Sequence, residues 1–101
     1  MEHRYSKRVP FVVDAIVRPL DKPEFQCKTK DLCYDGICLA KAEIDLPLHS
    51  VVDIELILSV PETRHLHMHA LLIHCDEDCI GFMFTHLDDE TQQFIDRLVE
   101  Q

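Results

Sequence analysis

The stretch Val51–Val60, VVDIELILSV, shows the most regular alternation of apolar and polar side chains in the chain. One side of it is entirely aliphatic and comprises Val52, Ile54, Leu56 and Leu58. Asp53 and Glu55 fall between them, and therefore on the opposite face of an extended backbone. This period of two predicts a β-strand with one face in the protein core and the other in solvent.

The same alternation recurs in five further runs on either side of this stretch. They are FVVDAIVRPL (11–20), EFQCKTKDL (24–32), GICLA (36–40), HLHMHALLIH (65–74) and CIGFMFTH (79–86). The first run predicts one continuous strand whose inner face carries Phe11, Val13, Ala15 and Val17. The short polar link between the last two runs predicts a hairpin.

The pattern changes to helical spacing after Leu87. A single apolar stripe then comprises Phe94, Ile95, Leu98 and Val99. Asp89 and Gln92 are spaced as a capping box at the start of this helix. Five or six strands followed by one helix predict an all-β fold, a small antiparallel barrel with the C-terminal α-helix packed against it.

Size and composition indicate one globular domain. The chain has 101 residues, of which 47% are hydrophobic, and no apolar run approaches the length of a membrane span. The charged N-terminal stretch lacks the apolar segment of a signal peptide, so we expect an unexported, cytoplasmic protein without membrane insertion. Because five cysteines is an odd number, we expect free thiols in a reducing compartment rather than a disulfide framework.

The charge is distributed unevenly along the chain. Its formal net charge is −9, yet residues 1–41 hold eight Lys/Arg against six Asp/Glu. Residues 42–101 hold only two Lys/Arg against thirteen Asp/Glu. Such an acidic protein is poorly suited to bind DNA or RNA, because affinity for the phosphate backbone requires many cations. A small anionic ligand needs only two or three well-placed arginines, which the first part of the chain can supply.

Two short motifs stand out in this first part. Arg4 and Arg8 form an R-x-x-x-R spacing just before the first predicted strand. Residues 31–36, DLCYDG, connect the second and third predicted strands. Asp31 and Cys33 should face the same side, because side chains alternate along an extended segment. Gly36 then predicts a tight reversal in which a positive φ is tolerated.

With these two motifs, the chain resembles the PilZ family of cyclic di-GMP receptor domains. The resemblance covers nearly the whole length and includes the order of strands, the closing GFMF segment and the helix after it. It implies a six-stranded antiparallel β-barrel over residues 10–101, preceded by a flexible arm over residues 1–9. It also implies a binding site for cyclic di-GMP made by the two motifs, with no other cofactor.

Carried over by position, the resemblance assigns ligand-binding roles to Arg4, Arg8, Asp31, Cys33 and Gly36. Arginine can fork onto phosphate oxygens or onto O6 and N7 of guanine, and a carboxylate can accept from the guanine N1–H and amine. Cys33 departs from the family pattern, which has serine at this position. A thiol is a weaker donor, and losing one neutral hydrogen bond lowers affinity roughly threefold to tenfold.

The resulting functional hypothesis is a bacterial receptor or adaptor that binds cyclic di-GMP and relays the signal to a protein partner. The alternative is a degenerate PilZ-like adaptor that interacts with proteins but does not bind nucleotide. An enzyme is not expected, because no arrangement of nucleophile, base and orienting residue and no phosphate-binding loop is recognisable.

Histidine and cysteine offer a weaker hypothesis of metal binding. His65, His67 and His69 alternate along one strand, but they lie opposite its apolar face and so are predicted to point to solvent. A second Cys/His set is conceivable around the last hairpin and comprises His74, Cys75, Cys79 and His86. Its spacing matches no familiar zinc motif, and buried thiols are the commoner outcome, so we predict no metal site.

Overall fold

The computed structural model describes residues 7–40, 46–59 and 61–100. Within these residues, seven β-strands precede one α-helix. They are β1 (Val9–Pro10), β2 (Asp14–Pro19), β3 (Phe25–Leu32), β4 (Gly36–Ala40), β5 (Val51–Leu58), β6 (Arg64–Cys75), β7 (Cys79–Leu87) and α1 (Asp89–Glu100). Each predicted run therefore contains a strand, and the terminal stripe forms the predicted helix.

The sheet closes on itself as a six-stranded antiparallel barrel, which confirms the predicted fold class. The strands follow the order β3, β2, β5, β6, β7 and β4, and β4 pairs with β3 to complete the circle. The longest ladder joins β5 to β6, from Val51 opposite Leu71 to Leu58 opposite Arg64. Closure leaves none of these six strands as a free edge along its whole length, which suits strands this short.

The barrel interior holds the aliphatic residues that the alternation assigned to it. Val52, Ile54, Leu56 and Leu58 of β5 are all buried, as is the facing set on β6, Leu66, Met68, Ala70 and Leu72. Phe82 of β7 is the largest side chain in this fully buried group. Burial of apolar area at roughly 25 cal/mol per Å² is the main force that holds the barrel together.

The first strand is interrupted, which the sequence analysis did not predict. β1 and β2 both pair with the same side of β3, but residues 11–13 between them leave the regular ladder. The buried Thr29 hydroxyl bridges this break, since it accepts from the Val13 amide at 2.8 Å and donates to the Phe11 carbonyl at 2.5 Å. Phe11 and Val13 are consequently only partly buried, whereas Ala15 and Val17 reach the core.

The helix is capped one residue earlier than predicted. The Asp88 carboxylate accepts from the Thr91 amide at 2.8 Å, and the Asp88 carbonyl accepts from the Gln92 amide at 2.9 Å. Asp88 is therefore the N-cap, and the predicted box between Asp89 and Gln92 is wrong. The bonds from Thr91, first from its amide and then from its side chain, hold the pKa of the Asp88 carboxyl below its usual value. The helix buries Ile95 and Val99, together with Thr91, against the barrel.

Among the described residues, no helix combines the length and the hydropathy that crossing a membrane requires. All five cysteines lie within the described ranges and carry free thiols.

Candidate functional site

A one-residue bulge in β3 turns Asp31 out of the barrel. Thr29 pairs with Leu39 and Asp31 with Cys38, so Lys30 is the extra residue on the β3 side. Such a bulge reverses the alternation, because the residues after it change faces. Thr29 and Leu32 therefore both point inward, and Asp31 points outward with 24% of its side chain exposed.

The turn after β3 holds Cys33 beside Asp31, as predicted. The Cys33 amide donates to the Gly36 carbonyl at 3.0 Å and closes the turn. The Cys33 thiol lies 3.0 Å from a carboxylate oxygen of Asp35 and 3.5 Å from the Gly36 carbonyl. Partial burial, followed by this contact with Asp35, raises the pKa of the Cys33 thiol above its usual value. The thiol is therefore a neutral hydrogen-bond donor at pH 7 and not a nucleophile.

Gly36 is required by close packing and not by a positive φ, which corrects the predicted reason for it. No described glycine has a positive φ. A Cβ atom on Gly36 would instead lie 2.5 Å from the backbone oxygen of Phe82 in β7. The missing side chain lets β4 and β7 approach each other next to the turn, where the Phe84 amide also donates to the Asp35 carbonyl at 2.9 Å.

Arg8 reaches this turn from the other side. Residues 9 and 10 pair with residues 32 and 31, which brings the residue before β1 alongside the end of β3. The Arg8 guanidinium lies 3.9 Å from the Asp31 carboxylate, and 68% of its side chain is exposed. Such a long and exposed ion pair contributes little to stability, so the guanidinium can exchange Asp31 for another anion. Arg4, the other predicted arginine, lies outside the described residues.

The four described members of the predicted site, Arg8, Asp31, Cys33 and Gly36, line one open cleft of about 600 Å³. This volume falls within the range of small-molecule binding sites. Residues from β4, β6 and β7 complete the lining, among them Ile37 and Phe82. Sequence spacing alone predicted that the side chains of Asp31 and Cys33 face the same side of the strand. The structure shows that Arg8 and Gly36 line the same cleft as these two residues.

A second bulge forms the opposite wall, which the sequence analysis missed. Leu72 pairs with Phe82 and His74 with Gly81, so Ile73 is the extra residue on β6. Two consecutive side chains, Ile73 and His74, therefore face outward into the cleft. Ile73 is 49% exposed and Met83 of β7 is 40% exposed, which gives this wall an apolar surface. The available signal was an apolar residue at position 73, on the face that the alternation assigned to solvent.

The β6–β7 hairpin closes the far end of the cleft with polar groups. His74, Asp76 and Cys79 all line the cleft there. This differs from the Cys/His set considered above, because His86 pairs with His69 and Cys75 pairs with Ile80. Among the described lining residues, three carboxylates therefore face a single guanidinium.

The alternating histidines of β6 lie outside this cleft. His65, His67 and His69 are exposed, which confirms their predicted orientation. His65 contacts the Glu55 carboxylate of β5, and Glu55 also accepts from Arg18 of β2 at 2.7 Å. These contacts, first that with His65 and then that with Arg18, hold the pKa of the Glu55 carboxyl below its usual value. In the described ranges, no metal-ligating cluster includes these three histidines.

The fold has counterparts among solved structures. The PilZ domain with c-di-GMP of YcgR from Escherichia coli superimposes with a TM-score of 0.78 at 14% identity, covering 98% of this chain and 90% of that one. The PilZ domain of CeSA from a cellulose-synthesizing bacterium gives a TM-score of 0.69 at 24% identity, covering 92% and 94%.

The inhibitor of motility MotI/DgrA from Bacillus subtilis gives a TM-score of 0.82 at 13% identity. The match covers 99% of this chain but spans only half of the Bacillus protein. No curated protein matches the chain by sequence. The family model for the PilZ domain matches residues 2–101, and with this match over nearly the whole length the chain belongs to the PilZ domain family.

Proposed function

We propose that this PilZ domain binds cyclic di-GMP in the cleft between β3, β4, β6 and β7 and serves as a receptor that relays the signal to a protein partner. The observation that carries the proposal is the convergence of Arg8, Asp31, Cys33 and Gly36 on one cleft of about 600 Å³. The structure of the similar PilZ domain of YcgR contains c-di-GMP, which supports the proposal that this chain binds the same ligand.

In this proposal, Arg8 and Arg4 bind the ligand as paired guanidinium forks. Arg8 is largely exposed and held by Asp31 only at 3.9 Å, so it can turn towards a phosphate or a guanine edge at small energetic cost. Charge-assisted bonds to either group are stronger than neutral ones. Arg4 is the second fork by motif position, four residues before Arg8 in the R-x-x-x-R spacing.

Asp31 selects guanine in this proposal. Its outward carboxylate can accept from the guanine N1–H and the exocyclic amine, whereas adenine presents an acceptor at N1. The apolar wall of Ile73 and Met83 offers a surface for the face of a base. Cys33 shapes the turn next to Asp31, and its thiol is already engaged by Asp35 and Gly36. A direct contact of this thiol with the ligand is therefore the weakest of the assigned roles.

The signal is relayed through the arm, residues 1–9. We propose that ligand binding draws Arg4 and Arg8 against the cleft and thereby changes the surface that a partner meets, as in an order–disorder switch. The described end of the arm is already fixed, because Val9 lies in β1. Slower trypsin cleavage after residues 4, 7 and 8 in the presence of cyclic di-GMP would support this relay, and an unchanged cleavage rate would contradict it.

Isothermal titration calorimetry tests the proposed ligand. Wild-type protein should bind cyclic di-GMP with a measurable heat, and Arg8→Ala should abolish or greatly weaken it. Lys22→Ala serves as the matched control, because it also removes one positive charge but lies in the connection between β2 and β3, away from the cleft. Equal weakening by both substitutions would indicate a general charge effect and would count against the proposed site.

The alternative function is an adaptor that does not bind nucleotide. One observation favours it: the described lining residues include three carboxylates, from Asp31, Asp35 and Asp76, against one guanidinium. Such a balance disfavours a dianion unless further positive charge is supplied. Absence of binding heat with wild-type protein would select this alternative and remove the receptor proposal.

A further inference from the structure

The hairpin between β6 and β7 gathers three side chains that ligate transition metals. His74 lies near the end of β6, Asp76 lies in the turn, and Cys79 begins β7. One ligand atom from each residue lies within 4.8 Å of the other two. A single tetrahedral ion bonded at roughly 2.0–2.3 Å holds its ligand atoms about 3.2–3.8 Å apart, so small side-chain rotations, including a slight separation of His74 from Asp76, would complete the geometry.

Hydrogen bonds already orient the Asp76 carboxylate for this role. One of its oxygens accepts from the backbone amides of Asp78 and Cys79 at 2.8 and 2.9 Å. The other oxygen is directed at the His74 ring nitrogen at 2.7 Å. One oxygen is thus fixed by the backbone, whereas the other contacts the His74 ring nitrogen, a contact that a bound ion would replace. Outer-shell bonds such as those from the two amides orient ligands at metal sites.

The bulge at Ile73 is what brings the imidazole to this carboxylate. Without the extra residue, regular alternation after the inward Leu72 would direct His74 into the barrel. The bulge turns it outward, where it meets Asp76 on the cleft wall. The bulge therefore serves the hairpin cluster in the same way as the Lys30 bulge serves Asp31.

Cys79 supplies the sulfur. Its thiol is partly exposed on the cleft side and contacts the thiol of Cys38. Cys38 is buried behind Cys79 and is not a member of the three-residue cluster. The three ligands on the cleft side leave a fourth position open towards the cleft.

We propose that His74, Asp76 and Cys79 form a binding site for a divalent transition metal, with Zn²⁺ as the best chemical match. Imidazole, thiolate and carboxylate together suit zinc or cobalt, whereas Mg²⁺ and Ca²⁺ prefer oxygen ligands only. The ion also suits the charge of the cleft, whose described lining has three carboxylates and one guanidinium. Its open position faces the cleft, where water or an anionic ligand completes the coordination.

Titration with Co²⁺ tests the site directly, without any nucleotide. Untagged protein is treated with a chelator and a non-thiol reductant, desalted, and titrated while the absorption spectrum is recorded. We expect a sulfur-to-cobalt charge-transfer band that saturates at one equivalent per chain. Zn²⁺ should abolish the band by displacement, and excess Mg²⁺ should leave it unchanged. Absence of the band in wild-type protein would overturn the proposal.

Substitutions then assign the ligands. Cys79→Ser should abolish the band, whereas Cys75→Ser, which removes an exposed thiol from the same hairpin, should preserve it. Asp76→Asn keeps an acceptor for the two turn amides and loses only the anionic oxygen. Because even outer-shell partners contribute roughly 10–100-fold to metal affinity, Asp76→Asn and His74→Ala should each weaken Co²⁺ binding by about 100-fold or more.

Each variant is also checked for folding by circular dichroism, so that loss of the band cannot be attributed to unfolding. A band that persists in folded Cys79→Ser, or that disappears in folded Cys75→Ser, would assign the metal to other thiols and refute the site. Because the titration contains no cyclic di-GMP, its outcome is independent of the proposed receptor function.

Discussion

Two polar regions of the barrel surface differ in how their charged groups are satisfied. On the outer face of β2, β5 and β6, the buried Glu55 carboxylate contacts His65 and accepts from Arg18 at 2.7 Å, and Arg18 also reaches Glu24 at 3.1 Å. In the cleft, the Arg8 guanidinium approaches the Asp31 carboxylate only to 3.9 Å. The first region is complete without a ligand, whereas the second keeps a guanidinium available for one.

In the proposed function, this difference separates charged residues that stabilise the fold from those that bind the ligand. Both arginines precede or occupy the first two strands, and both lie opposite acidic residues, so composition does not distinguish them. Contact distance and exposure distinguish the two arginines, because the Arg18–Glu55 ion pair is short, whereas the Arg8–Asp31 ion pair is long and solvent-exposed. A charged group with close, shielded partners stabilises the fold, and a loosely held one can be recruited by a ligand.

The largest expected effect is on the framework that both regions share. Gly36→Val would place a side chain against the Phe82 carbonyl, where even a Cβ atom would lie at 2.5 Å, so β4 or β7 must move. We expect a loss of about 3 kcal/mol in the free energy of unfolding, measured by urea denaturation, since backbone contacts relax poorly.

Gly81→Ala is the matched control for this substitution, because its Cβ would meet the His74 Cβ at an ordinary 3.4 Å. Its effect should stay within about 0.5 kcal/mol. If the two variants were equally stable, the close approach of β4 and β7 would not be the reason for Gly36.

The second prediction compares alanine substitutions at the two arginines, Arg8 and Arg18. Arg8→Ala should weaken cyclic di-GMP binding by about thirtyfold, corresponding to about 2 kcal/mol for charge-assisted bonds, with an unchanged melting temperature. Arg18→Ala should lower the melting temperature, because it leaves Glu55 without its short ion pair, and should leave the affinity unchanged. Calorimetry and thermal denaturation of both variants measure the two effects, and a change of affinity in Arg18→Ala would erase the distinction between the regions.

The third prediction uses pH to examine the outer network alone. The pKa of the Glu55 carboxyl is lower in the folded protein than in the unfolded chain, so its contribution to stability is present above the unfolded value of about 4.5. It is lost as the pH falls through the folded pKa. Glu55→Gln should therefore cost about 1–2 kcal/mol at pH 7, allowing for the partial exposure of its partners Arg18 and His65, and progressively less in acid.

Urea denaturation of wild type and Glu55→Gln across this pH range measures the difference. The charged or titratable groups that face Glu55 are Arg18 of β2 and His65 and His67 of β6. A stability difference that is independent of pH would show that the carboxylate's charge is unimportant to this network.

The smallest expected effect concerns Cys33. Cys33→Ser replaces the thiol by a stronger donor and restores the residue found in the family motif, so affinity for cyclic di-GMP should rise roughly threefold to tenfold. Stability should change little, because in the ligand-free protein a serine hydroxyl can make the same contacts with Asp35 and Gly36, and it would exchange them for the ligand only on binding. Calorimetry gives the affinity, and a decrease would show that the thiol is the preferred group in this cleft.

Most of the fold was predictable because alternation and burial agree. The run from Val51 to Leu58 forms a strand with its aliphatic face in the core, as its pattern requires. The break at residues 11–13 was not predictable from period, because it depends on the Thr29 hydroxyl of another strand capturing two backbone groups. The helix cap shifted from Asp89 to Asp88 because neighbouring carboxylates compete for the same amides.

The candidate site was predictable where local sequence sets the geometry, as for Asp31 and Cys33. Its far wall was not, because the orientation of His74 depends on a bulge that only the pairing of β6 with β7 defines. A signal for the first bulge was present in the sequence: the apolar residues Phe25 and Cys27 occupy alternate positions, and the next one, Leu32, falls out of that period of two. This break in the alternation would have predicted that the Asp31 side chain faces out of the barrel.

The Thr29 hydroxyl also determines where movement can begin. It ties the strand carrying Phe11 and Val13 to β3, and the pairing of Val9 with Leu32 continues this attachment. A pull on the N-terminal segment would therefore be transmitted to β3 from Val9 onwards. An adjoining protein or domain that grips this segment would be mechanically coupled to the strand whose end bears Asp31.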